Sequence, residues 1–134
     1  MIYPVFLKTI LRTTNTEGKH DEIRYEGRAM AALRENGTWS VRYTDAENHG
    51  QTALQGADLW VSVSRDGDTK SRLLFRVGDL LESTYVTPQG EFTMSTKATY
   101  LQQEVTEAHA EVQVHYELYL SGKLVTTNEL TLTW

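Results

Sequence analysis

The chain is expected to be all-β, a single antiparallel up-and-down β-barrel of about ten strands, on three observations. Apolar and polar residues alternate with a period of two through most of the sequence, compact turn signals separate the alternating segments, and no helical period of useful length competes. The alternation is cleanest from Ala110 to Leu120. There Ala110, Val112, Val114, Tyr116, Leu118 and Leu120 fall on one side, and Glu111, Gln113, His115, Glu117 and Tyr119 on the other. Successive side chains of a strand point to opposite faces, so this pattern describes a strand with one buried face. Ser121-Gly122 makes a turn, and Leu124, Leu130, Leu132 and Trp134 resume in phase, which predicts a hairpin closing the chain.

Ten segments carry strand character: residues 5–14, 22–33, 38–45, 51–56, 58–65, 70–77, 80–87, 90–101, 108–120 and 123–134. The second contains helix formers around residues 29–34, but Ile23, Tyr25, Gly27, Ala29, Ala31 and Leu33 keep the strand period. Asn36-Gly37, Asp66-Gly67, Pro88-Gln89-Gly90 and Ser121-Gly122 are short turns, which make consecutive strands antiparallel neighbours. The connections around Glu17-Gly18 and Asn48-His49-Gly50 are longer, yet too short for a crossover helix. A meander with such turns favours closure over a Greek-key sandwich, and closure removes exposed sheet edges. The small residues Gly27, Ala29 and Ala31 on the inner face of the second segment suit the sharp coiling of a barrel.

The length of 134 residues suits one barrel domain across residues 1–134, with a substantial core. With 18 acidic against 13 basic side chains and no dense basic run, nucleic acid is an unsuitable partner. Cysteine is absent, which removes disulfides, thiolate catalysis and sulfur-ligated zinc and fits an intracellular setting. The N-terminal residues lack the pattern of a signal peptide, and no apolar run approaches the roughly 20 residues that span a bilayer. The expected location is the cytoplasm, with no membrane partner.

Carrying the alternation through every segment turns nine of the thirteen aromatic side chains inward: Tyr25, Trp39, Tyr43, Phe75, Tyr85, Phe92, Tyr100, Tyr116 and Trp134. Thr52, Arg65, Ser83, Thr96, Thr126 and Asn128 share that face, giving a partly polar interior. Two arrangements account for it. The polar groups pair with one another and with buried water, or they surround a cavity for a small apolar or amphipathic ligand. In the second case Tyr25, Tyr43, Tyr85, Thr96, Tyr100 and Asn128 supply the polar contacts, and Phe75, Phe92 and Trp39 the apolar wall. Arg65 stands at a strand end beside Asp66-Gly67, a rim position; turned inward it would match a ligand carboxylate.

No catalytic residues, cofactor or metal site are predicted. His20 and His49 fall in loops, while His109 and His115 lie about 20 Å apart along one strand face, too far to share an ion. Glu111 and Glu117 on that face read as ordinary wet-face charges. Neither a phosphate-binding glycine loop nor a nucleophile elbow occurs. Phe6, Ile10, Trp60, Leu74 and Tyr119 point outward and would form a homodimer surface if gathered together.

Tyr25-Glu26-Gly27, then Gly90-Glu91-Phe92 leading into Ser95-Thr96-Lys97, and the final hairpin around His115-Tyr116-Glu117 and Leu130-Thr131-Leu132 carry a resemblance. In order and spacing the chain resembles the YwiB-like family of small bacterial proteins of unknown function, over almost its entire length. The resemblance implies a calycin-like barrel, related in shape to lipocalins and fatty-acid-binding proteins, and transfers no catalytic residue. The helical lid that fatty-acid-binding proteins insert after the first strand has no room in residues 14–21. Three functional readings follow. The leading one is a non-enzymatic barrel holding a small apolar or amphipathic molecule inside. The second is a solid barrel acting as a protein-interaction or self-association module. The third, an enzyme using inward tyrosines as proton donors, has the least support because no inward carboxylate or histidine accompanies them.

Overall fold

Ten antiparallel strands and no helix make up the computed structural model, which describes residues 1–134. They are β1 (Ile2–Asn15), β2 (His20–Leu33), β3 (Trp39–Asp45), β4 (Gly50–Ala57), β5 (Trp60–Asp66), β6 (Lys70–Phe75), β7 (Leu80–Thr87), β8 (Gly90–Val105), β9 (Ala110–Leu120) and β10 (Lys123–Thr133). Each pairs with its neighbours in sequence, and β1 pairs with β10, so the sheet closes into the expected barrel. The sequence segments recur in order, with β1 and β8 longer than the alternation suggests. At the β9–β10 turn Ser121 (φ 51°) and Gly122 (φ 80°) are both left-handed, the mirror-image turn whose twist matches the strands it joins.

The inward faces meet in a core that includes Leu7, Val41, Val61, Phe75, Val112, Val114 and Leu132, all buried. Each such side chain contributes roughly 1.5 to 3 kcal/mol by leaving water. Phe75 packs on Tyr116 with ring centroids 4.3 Å apart, closing the middle of the barrel. The end bearing the two termini is plugged. There Trp39 and Trp134 meet edge to face at 6.2 Å, and Trp39 Nε1 donates to Gln103 Oε1 at 2.7 Å. Gln103 Nε2 in turn donates to the carbonyls of Ala57 and Trp60. Gly56 makes the plug fit, since a Cβ there would stand 2.8 Å from the Trp39 ring and 2.7 Å from Gln103 Oε1.

Two register shifts correct the inward set. In β8, Ala98 pairs with Tyr116 but Tyr100 pairs with His115, so Thr99 is an extra residue and the faces exchange beyond it. Tyr100 therefore lies outside the barrel, 42% exposed, against the His115 ring and donating to Gln102 Oε1. Leu101, Gln103 and Val105 take the inward positions instead, opposite Val114, Val112 and Ala110. In β10 the shift falls between Leu124 and Thr126. Leu124 pairs with outward Tyr119 and is exposed, while Thr126, Asn128, Leu130 and Leu132 remain on the inner side.

The hydrogen-bonded wall is thin in two places. β2 and β3 pair only over Met30–Leu33 with Trp39–Arg42, and β6 and β7 share the single pair Lys70 with Val86. At the second seam β8 closes the wall from behind: Thr96 Oγ1 donates to the Leu74 carbonyl at 2.8 Å, and Val77 bridges Ala98. The first seam stays open toward the end opposite the tryptophan plug.

Candidate binding site at the open end of the barrel

Where β2 and β3 part, Tyr25 and Tyr43 fill the gap with stacked rings, 3.9 Å between centroids and 19° between planes. Tyr25 can lie flat because residue 27 is glycine; a Cβ there would stand 2.9 Å from the Tyr25 hydroxyl. That hydroxyl donates to the Arg28 carbonyl at 2.7 Å, occupying a backbone acceptor that no partner strand uses. Gly27 thus serves the aromatic stack as well as the coiling expected of it.

Beside the stack lies a half-open cavity of about 360 Å³. Its apolar wall includes Leu11, Ile23, Leu54, Val63 and Leu130, and its polar groups include Thr9, Thr52, Asp45, Arg65 and the hydroxyls of Tyr25, Tyr43 and Tyr85, with exposed Arg24, paired to Glu22, and Glu47 also lining it. Two hairpin turns frame the mouth. Asn48 clamps them together, its Nδ2 donating to the Thr69 carbonyl (2.9 Å) while its Oδ1 accepts from Thr69 N (2.8 Å) and its carbonyl accepts from Asp68 N. His49 Nδ1 meets Asp68 Oδ2 across the same junction. The clamp demands glycine on both sides: a Cβ on Gly50 would lie 1.8 Å from the Asp66 carbonyl oxygen, and one on Gly67 2.1 Å from that of Asn48.

Arg65 is the cavity's distinctive charge. It is partly buried at the rim, and no carboxylate lies within 4 Å of its guanidinium among the chain's ion pairs. Its field reaches two phenols. Burial raises the pKa of Tyr43 above its ordinary value; neighbouring Thr52, Arg65 and Thr9 oppose the rise, and Asp45 adds to it. Tyr116, deeper in the barrel, is pushed up to about 12 by burial, with Arg65 again opposing. Both phenols stay protonated at neutral pH. They are hydrogen-bonding groups there.

The Tyr116 shift has a consequence for stability. A pKa raised in the folded state means that the neutral phenol is favoured by folding. The benefit is complete below the unfolded value near 10 and is lost as pH rises through about 12. Chemical denaturation across that interval should show a loss on the order of 2 to 3 kcal/mol attributable to this group. Tyr116→Phe should flatten that part of the profile, whereas an identical profile would place Tyr116 in water.

Of the six candidate contact residues, the cavity brings together Tyr25, Tyr43 and Tyr85. Thr96 is buried and committed to the Leu74 carbonyl. Asn128 is buried, donating to Thr126 Oγ1 and, weakly, to the Tyr116 carbonyl. Tyr100 is outside. Nor do the three suggested apolar contacts line the cavity: Trp39 belongs to the opposite plug, Phe75 to the core, and Phe92 to an exposed end of β8. Thr9, Leu11, Asp45, Leu54 and Leu130 were absent from the candidate set. Asp45 and Leu54 keep the phase of Tyr43 and Thr52, so the alternation already contained a signal for them. Asn48 had only a turn signature.

The outward apolar residues Phe6, Ile10, Trp60, Leu74 and Tyr119 stand on four strands, β1, β5, β6 and β9. Phe6 is 66% exposed, whereas Ile10, Trp60, Leu74 and Tyr119 are each partly covered. No group of three or more histidine, aspartate or glutamate side chains converges to hold a metal ion, and no helix is long and apolar enough to cross a membrane.

Fold and cavity define a closed ten-strand antiparallel barrel with the half-open cavity at one end and the tryptophan plug at the other, where a more open depression of about 310 Å³ lies against Trp39, Leu101, Gln103 and Val105. The chain belongs to the family described as "Domain of unknown function (DUF1934)", whose sequence model matches residues 8–132. It is also similar to a solved structure titled "Crystal structure of ywiB protein from Bacillus subtilis", with a TM-score of 0.82 and 17% identity. That likeness covers 98% of this chain and 90% of the other, and it is a likeness of fold. The resemblance to the YwiB-like family is thereby borne out. No curated protein matches the chain.

Proposed function

We propose that this protein is a non-enzymatic binding barrel that holds a small amphipathic anion in its open end. The observation that carries the reading is the cavity of about 360 Å³, whose apolar wall and tyrosine hydroxyls converge beside an arginine without a carboxylate partner. The volume falls at the lower end of the range usual for small-molecule sites. A short chain or a single ring system fits such a space. The guanidinium of Arg65 would take a carboxylate or sulfonate, and Leu11, Leu54, Val63 and Leu130 would cover the apolar part. Asp45 at the rim would disfavour a second negative charge.

The three tryptophans, Trp39, Trp60 and Trp134, stand in or beside the plugged end, so intrinsic fluorescence is a poor reporter. Anilinonaphthalene sulfonate supplies its own signal and matches the proposed chemistry. Saturable binding at one molecule per chain is expected, weakened at least about tenfold by Arg65→Leu, the loss of one charge-assisted contact. Octanoate should displace the dye. Dye binding that Arg65→Leu leaves unchanged, or no binding of dye or octanoate, would refute the proposal.

A further inference from the structure

Beyond Met30 the edge of β2 has no neighbouring strand, because its pairing with β3 stops at Met30 with Arg42. Arg34 N donates across that side to the Thr38 carbonyl, and the Arg28 carbonyl accepts the Tyr25 hydroxyl there. By alternation, Glu22, Arg24, Glu26 and Arg28 turn their N–H and C=O groups to the free edge. Their side chains lie on the outer face of the barrel, all exposed. An edge strand normally carries charge to keep other strands away. Here the order of the charges admits one partner.

We propose that two copies of this chain join edge to edge through β2, antiparallel and two-fold symmetric about Tyr25. In that register Arg24 stands opposite Glu26 of the second copy, and Glu22 opposite Arg28, so all four outward pairs are of opposite sign. The same even-numbered residues turn their backbone groups to that edge, so the charged pairs coincide with the hydrogen-bonded pairs of the new ladder, in which the Glu22 N–H exchanges its present acceptor, Asp21 Oδ1, for the partner's carbonyl. A shift of two residues either way sets Arg24 against Arg24 or Glu26 against Glu26. A shift of four keeps only two opposite pairs, so the register about Tyr25 is the one that matches all four. Glu22 and Glu26 have intrachain partners in Arg12, Arg24 and Lys8, whereas Arg28 has no ion partner in its own chain. The Arg28 carbonyl retains a second lone pair for an inter-chain N–H. The charge order that argues for this interface does not rest on the proposed ligand, although Arg24 also lines the cavity.

Sedimentation equilibrium at low salt provides the test. The wild-type chain is expected to associate to a two-chain species. Arg24→Glu and Glu26→Arg, each alone, place like charges opposite one another twice and should weaken association at least about tenfold. An equimolar mixture of the two variants restores every opposite pair and should associate as the wild type does. Should either variant lose its β spectrum by circular dichroism, Glu22→Arg with Arg28→Glu makes the same exchange at the outer pairs. A wild-type chain that stays monomeric, a single variant that associates unchanged, or a mixture no tighter than its components would each overturn the proposal.

Discussion

Replacing Tyr116 by alanine is expected to destabilise the barrel by about 3 to 5 kcal/mol, the range for deleting a large buried aromatic side chain. Tyr116 is 6% exposed, stands at the centre of β9 opposite Asn128 and Ala98, and packs on Phe75. Its removal opens a void between β6 and β9 that rigid neighbouring strands fill poorly. The adjacent His115 lies on the outer face against Tyr100, and His115→Ala should cost no more than about 1 kcal/mol. Urea denaturation of the two variants measures the contrast. Equal losses would mean that β9 is turned the wrong way round.

Trp39→Ala should be comparably damaging, at about 3 to 5 kcal/mol, through two effects at once. The residue is 2% exposed, so truncation leaves a cavity in the plug. It also strips Gln103 Oε1 of its indole donor while Gln103 stays anchored to the Ala57 and Trp60 carbonyls. Trp39→Phe retains most of the ring and removes the donor, so it should cost less, about 1 to 3 kcal/mol. A Trp39→Phe loss as large as that of Trp39→Ala would assign the plug's strength to the hydrogen bond alone. Because the plug lies far from Arg65, Trp39→Phe should leave dye binding at the open end intact.

The barrel was legible because one buried face per strand writes itself as a period of two, and turns of a few residues leave antiparallel pairing as the outcome. The bulges are not legible for a physical reason: one extra residue reverses the faces without changing composition. In β8 the even-numbered set Thr96 and Ala98 gives way to the odd-numbered Leu101, Gln103 and Val105, and extending the earlier phase carried Tyr100 inside. In β10 the same kind of shift leaves Leu124 outside, where extending the phase of Leu130 and Leu132 would place it inward. Half of the candidate contact residues proved to line the cavity, since phase identifies an inward side chain but not its height along the barrel axis. Thr96 and Asn128 face in and are spent on structural bonds. The cavity's position depends on where β2 leaves β3, and its rim on Asn48 joining two turns far apart in sequence. Both are tertiary facts that local pattern does not encode.

The proposed function divides the barrel into an end closed by the tryptophan plug and an end that receives the ligand. Amide chemical shifts of the labelled protein, followed during titration with octanoate, test it most directly. Saturable shifts confined to Leu11, Tyr43, Leu54, Arg65, Tyr85 and their neighbours, with Val105, Ala110 and Trp134 unmoved, are the predicted result. Shifts centred on the tryptophan plug, or no saturable shifts at all, would contradict it.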